Sequence, residues 1–117
     1  MKNFFRSLIL PSVLLLTACS TDNTSETTLK KAYSDSFMIG CAVNPLHTGG
    51  LLGQATSLIL EHFNAISPEN CLKPEAVQPR PGVWTFEDAD EFVKFGEDNG
   101  MWMLGHTLVW HNQTPAF

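Results

Sequence analysis

The sequence predicts an α/β fold with parallel strands. Two observations carry it. Short, nearly continuous apolar runs alternate with longer segments of helical apolar period, and such runs suit strands buried on both faces. Polar residues also collect directly after each apolar run, where parallel sheets place their ligands. The composition agrees: 44% hydrophobic and 16% charged residues over 117 positions belong to a chain with a core.

The first segment reads as an address and not as part of the fold. Lys2 and Arg6 precede the apolar stretch Leu8 to Leu16, which falls short of the ~20 residues that span a bilayer. This is the pattern of a secretory signal. Leu16-Thr17-Ala18-Cys19 resembles the bacterial lipoprotein box, with cleavage expected after residue 18 and acylation of Cys19. A plain secretory signal with a chance cysteine is the alternative. Ser20 after the cysteine resembles the outer-membrane sorting signal of Gram-negative lipoproteins, so export to the outer membrane or cell surface is expected. Membrane attachment would run through the lipid on Cys19. Ser20 to Thr28 is polar and aperiodic, so residues 19 to 34 are expected to form a flexible tether.

From residue 35 the chain is expected to form the folded portion. Phe37 to Val43 reads as the first strand. Leu52, Ala55, Ile59 and Phe63 recur at helical spacing and place an amphipathic helix over Leu51 to Phe63. Phe63 to Ser67 reads as the second strand, followed by a loop rich in proline (Pro68, Pro74, Pro79, Pro81). Thr85 suits the N-cap of the next helix with Asp88 at N3. Phe86, Ala89, Phe92, Val93 and Gly96 line one face of that helix, and Asn99-Gly100 ends it. Met101 to Leu108 reads as the third strand. Strand, helix, strand, helix, strand predicts a parallel sheet. Periodicity alone does not separate a barrel from an open doubly wound sheet, although the phosphate-binding glycine pattern of dinucleotide folds is absent after Gly40.

Charge and cysteines narrow the function. The net charge is −5, and without Lys2 and Arg6 five basic residues face twelve acidic ones. An acidic body makes a poor nucleic-acid partner, because phosphate affinity needs clustered Lys and Arg. It suits a neutral substrate. In an exported chain Cys41 and Cys71 would meet an oxidising compartment. Both a bridge between them and two buried thiols are compatible with their positions near neighbouring strand ends.

Asn44 and His47 follow the first strand and Glu69, Asn70 and Lys73 the second, while the third carries His106 and is followed by Trp110, His111, Asn112 and Gln113. Their amides, imidazoles, carboxylate and ammonium can donate to or accept from sugar hydroxyls. Trp110 offers an apolar face for a pyranose ring. Each also has a bland reading. Glu69 and Lys73 stand at the spacing of a helix-surface ion pair, but Pro68 and Pro74 argue against a helix there. A histidine inside an apolar run, as at His106, is commonly a satisfied core residue. His106 and His111 would face opposite sides of a strand, so no metal is expected, and nothing in the chain asks for a cofactor.

Several of these stretches resemble family 10 glycoside hydrolases. Gly105 to Gln113 (GHTLVWHNQ) is similar to the family's third-strand signature, and Phe63 to Lys73 (FNAISPENCLK) to its second. Gly82-Val83-Trp84-Thr85-Phe86 with Ala89-Asp90 resembles the link into the second helix, and Phe37 to Asn44 the first strand. The resemblance implies a fold, the N-terminal three or so βα units of a TIM (β/α)₈ barrel over residues 35 to 117, incomplete in this chain. It implies an activity, hydrolysis of internal β-1,4 bonds of xylan with retention. It also implies substrate-binding roles: Glu69, Asn70 and Lys73 for the glycone-side sugars, His106 and Trp110 for the sugar being cleaved, and Gln113 as their support. Where many members carry an aromatic residue after the lysine, this chain has Pro74.

The same resemblance sets the acid/base glutamate after a fourth strand and the nucleophile after a seventh, both beyond Phe117. Retaining glycosidases need two carboxyl groups ~5–5.5 Å apart. With Glu69 matched to a binding residue, the expectation is that this chain contains no catalytic residue and does not cleave xylan. The alternatives are a lipid-anchored xylan-binding protein without turnover and the inert product of a truncated gene.

Overall fold

The computed structural model describes residues 27–117. The signal segment, Cys19 and most of the expected tether lie outside them. Three parallel strands set the frame, β1 (Gly40–Val43), β2 (Ala65–Pro68) and β3 (Trp102–Met103), in the order β1-β2-β3. The register pairs Gly40 with Ala65 and Val43 with Pro68 on one side of β2, and Ala65 with Trp102 on the other. This is the expected α/β parallel sheet, and here it forms no closed barrel. A sheet in which each strand joins the previous one excludes a doubly wound sheet that begins at its centre and places its second and third strands on opposite sides of the first.

The strands are shorter than the apolar runs that foretold them. Phe37 and Met38 are exposed, and pairing begins only after Ile39, which accepts from the backbone N–H of Asn64 and Ala65. The third run was expected to extend to Leu108, but its ladder stops when Leu104 has donated to the Ile66 carbonyl. Beyond that point the chain turns away: the Thr107 N–H donates to the Leu72 carbonyl at 3.3 Å. Leu108 and Val109 are left 94% and 87% exposed.

Helices cover the sheet. A short turn, α2 (Pro45–Thr48), leads from β1 into α3 (Gly53–His62), and α5 (Glu87–Asp98) connects toward β3. Between β2 and α5 the proline-rich loop contains one further turn, α4 (Pro74–Val77), begun by Pro74 at N1 where a missing N–H costs nothing. Ile59 of α3 and Phe92 and Phe95 of α5 close on Val43, Ile66, Cys71 and Met101 to form the core. Phe92, Ile66 and Val43 are the largest fully buried side chains. Val93 and Phe86, expected on the inner face of α5, are instead partly exposed at 38% and 45%. The helical repeat turns 93 past the edge of the stripe set by 89, 92 and 96.

Two local expectations change. Thr85 does not cap α5. Its hydroxyl donates to the Ala76 carbonyl and its N–H to the Val77 carbonyl, which binds it to the end of α4. The N-cap of α5 is therefore Phe86, one residue later, and it provides no side-chain cap. Glu87, Asp88 and Asp90 in its first turn suit the positive end of the helix dipole instead. Within the stretch read as tether, Leu29–Ala32 forms a helical turn, α1. It docks on the end of α3, where Lys30 Nζ donates to the Leu60 carbonyl at 2.6 Å and the Leu29 N–H to His62 Nδ1 at 3.3 Å. No helix among the described residues is long and apolar enough to cross a membrane.

Candidate sugar-binding site

The sheet register builds the site. Val43 and Pro68 are the last paired residues of β1 and β2, and the Glu69 N–H continues the ladder to the Val43 carbonyl at 2.8 Å. Asn44 and Glu69 therefore leave the sheet side by side. The Asn44 amide donates from Nδ2 to Glu69 Oε2 at 3.0 Å. Asn44 is also the N-cap of α2: its Oδ1 accepts from the Leu46 N–H at 3.1 Å, and its own N–H donates to His47 Nδ1 at 3.2 Å. The two polar residues after the first strand thus close a helix start, and Asn44 also holds the carboxylate that follows the second strand.

Asn70, next to Glu69, is a junction. Its Oδ1 accepts from Lys73 Nζ and from Gln113 Nε2, both at 3.1 Å. That uses both lone pairs of the oxygen and fixes the amide. Lys73 is the one buried charged side chain among the described residues, 8% exposed. Its ammonium lies 4.3 Å from the centre of the Trp110 ring. Burial of a charge is tolerated when it is hydrogen-bonded and faces a ring quadrupole. Trp110 meets His106 edge-on, with ring centres 6.0 Å apart. Gln113 is anchored from behind, its carbonyl accepting the Glu75 N–H at 2.8 Å, so α4 braces the loop after β3.

Five of the six expected residues, Asn70, Lys73, His106, Trp110 and Gln113, thus form one contact chain at the carboxyl end of the sheet. Glu69 adjoins it through Asn70. Glu69, Asn70 and His106 are exposed, Trp110 and Gln113 half-buried, and Lys73 lies beneath. The result is a polar rim of acceptors and donors over a buried ammonium and an aromatic face. Glu69 and Lys73 share no helix. His111 turns to its neighbour Asn112 at 3.1 Å. Among the described residues no group of three or more His, Cys, Asp or Glu is placed to hold a metal ion. What sequence reading missed is the bond from Asn44 to Glu69. The signal for half of it was present, since Asn followed by Pro is a strong helix start.

An apolar groove of about 510 Å³ runs beside the site, lined by Leu72, Pro74, Trp84, Phe86, Leu108 and Phe117 among others. Trp84 and Phe86 stack within it, 5.8 Å between centres and 7° from parallel. Cys41 and Cys71 are free thiols, so of the two expectations the unbridged one holds. Burial pushes both thiols above their ordinary pKa. For Cys71 the negative charge of Asp88 adds to the rise, against a smaller lowering by a backbone hydrogen bond.

Known proteins are similar to this chain in sequence and fold. The family model "Glycosyl hydrolase family 10" matches residues 28–117. A Beta-1,4-xylanase of Dictyoglomus thermophilum is 47% identical over 89 residues, covering 76% of this chain and 24% of the relative. A Thermostable celloxylanase of Thermoclostridium stercorarium is 44% identical over 88 residues, covering 75% of this chain and 22% of its own. The chain thus spans about a quarter of the length of these curated relatives. Among solved structures, a psychrophilic glycoside hydrolase family 10 endo-β-1,4-xylanase superposes with a TM-score of 0.72 at 40% identity, over 77% of this chain and 27% of that one. A mutant protein solved in complex with xylotriose gives 0.69 at 38% identity, over 75% of this chain and 26% of that one. The matched segment begins at residue 28, so it takes in α1 as well as the sheet. The fold is that of the first strands of the family's TIM barrel, and the chain belongs to glycosyl hydrolase family 10.

Proposed function

We propose that this chain supplies the glycone-side sugar-binding wall of a retaining endo-1,4-β-xylanase, with xylan or a xylo-oligosaccharide as its ligand. The observation that carries the reading is the buried Lys73 ammonium, held by Asn70 and faced by Trp110, under the exposed rim of Glu69, Asn70 and His106. Rigid donors and acceptors beside an aromatic face suit the hydroxyls and apolar face of a pyranose. The names of the relatives, xylanases and a celloxylanase, support the substrate class, as does the xylotriose bound by one structural neighbour.

Within the cluster Glu69 is the carboxylate that is hydrogen-bonded into place. A double displacement needs two, ~5–5.5 Å apart. The chain by itself is therefore a binder without turnover. Its attachment through an acylated Cys19 at the outer membrane or cell surface belongs to the same proposal, resting on the Leu16-Thr17-Ala18-Cys19 box. Calorimetric titration of the 117-residue chain with xylotriose, alongside a reducing-sugar assay on xylan, tests the reading. Saturable binding with no sugar release is expected. Absence of binding, or release of xylo-oligosaccharides by this chain alone, would overturn it.

A further inference from the structure

We infer that Asn44 is a positioning residue that holds the Glu69 carboxylate in its sugar-binding orientation. This rests on the sugar-binding reading above and adds a residue to it from outside the two signature stretches. Glu69 is exposed, and a glutamate in solvent samples many rotamers and loses that freedom on binding. Here one of its oxygens is already engaged by Asn44 Nδ2 at 3.0 Å, which leaves Oε1 for sugar hydroxyls.

Asn44 is able to do this because its own orientation is decided elsewhere. Its Oδ1 must face the Leu46 N–H, a donor, so Nδ2 faces the carboxylate and the amide has no equivalent flipped state. Its backbone is pinned by the bond from its N–H to His47 Nδ1, and the turn α2 is tied down on two sides. The Thr48 hydroxyl reaches Glu91 Oε1 of α5 at 3.3 Å, and the Thr56 hydroxyl of α3 donates to the His47 carbonyl at 2.8 Å. The carboxylate thus takes its direction from both covering helices, through the residue that follows the neighbouring strand.

The test separates capping from positioning. Ser is a good N-cap but is too short to reach Glu69, whereas Ala does neither. Asn44→Ala is expected to lower Tm and to weaken xylotriose binding about tenfold, the loss of about 1.4 kcal/mol. Asn44→Ser is expected to restore Tm and leave the affinity about tenfold down. Independently of any ligand, the side-chain amide signals of Asn44 in a nitrogen–proton correlation spectrum are expected to move in Glu69→Gln, since the bond to a charged acceptor is lost. Asn44→Ser binding xylotriose like the parent chain, or Asn44 amide signals indifferent to Glu69→Gln, overturns the positioning role. A parent chain that binds no xylotriose overturns the sugar-binding function itself. The amide signals then still decide whether the clamp exists.

Discussion

Replacing Lys73 by Met separates the binding role of that lysine from any structural one. The buried ammonium donates a charge-assisted hydrogen bond to Asn70 Oδ1, worth about 1.5–3 kcal/mol. It gains about 2 kcal/mol more from the Trp110 face at 4.3 Å in a desolvated position. Against this stands a desolvation cost of several kcal/mol for bringing the ammonium out of water. These terms nearly cancel. Met keeps the apolar stem, and Asn70 Oδ1 still accepts from Gln113, so no buried acceptor is orphaned. Lys73→Met is therefore expected to change unfolding free energy by no more than about 1.5 kcal/mol, with either sign allowed. Its effect on sugar binding is one-sided. Loss of a charged donor should cost about 1.5–3 kcal/mol, roughly ten- to 150-fold in Kd. Urea unfolding followed by circular dichroism, paired with xylotriose calorimetry, measures both. A variant that loses 3 kcal/mol or more of stability while binding xylotriose as before would refute the reasoning.

Two further outcomes follow from packing and charge. A Cβ on Gly96 would stand 2.6 Å from Met103 Cγ and 3.2 Å from Cε, and closer still to the sulfur. Met103 would have to swing from its root, and an overpacking cost of about 1–3 kcal/mol should exceed the ~1 kcal/mol helix gain of Ala over Gly. Gly96→Ala should thus destabilise in urea unfolding, and should become stabilising in a Met103→Ala background. For Cys71, burial and the Asp88 charge hold the thiol protonated above its ordinary 9.0. Its share of stability is complete below that value and is lost as the pH climbs past it, because the unfolded chain ionises first. Asp88→Asn should lower the Cys71 pKa and speed its alkylation near pH 9, leaving Cys41 unchanged, as read by peptide-resolved mass spectrometry.

The site was legible because its residues stand where the apolar runs end, and a parallel sheet brings those ends together. Glu69, Asn70 and Lys73 follow β2, and Trp110 and Gln113 follow the third run, so finding the runs was enough to group them, while His106 stands inside that run and joins them because β3 ends at Met103. Boundaries were less legible because an apolar residue does not announce what it pairs with. Leu104 to Leu108 looks like a continued strand, yet β2 is only Ala65–Pro68 and offers β3 two register partners. The α1 turn was hidden because its stability comes from α3, through Lys30 and Leu29, and not from its own four residues. Thr85 carried a fair capping signal, but a competing carbonyl on Ala76 took its hydroxyl. The Asn44–Glu69 bond links positions 25 residues apart, and local spacing gives no sign of it.

The most direct test of the central claim is a residue-resolved xylotriose titration of the chain by nitrogen–proton correlation spectroscopy. The account predicts saturable shifts at the Trp110 indole, at the Asn70 and Gln113 side-chain amides, and at the backbone of Glu69, Lys73 and His106, with Trp84 of the apolar groove unmoved. Shifts centred on Trp84 and the groove, or a spectrum unchanged at saturating xylotriose, would contradict it.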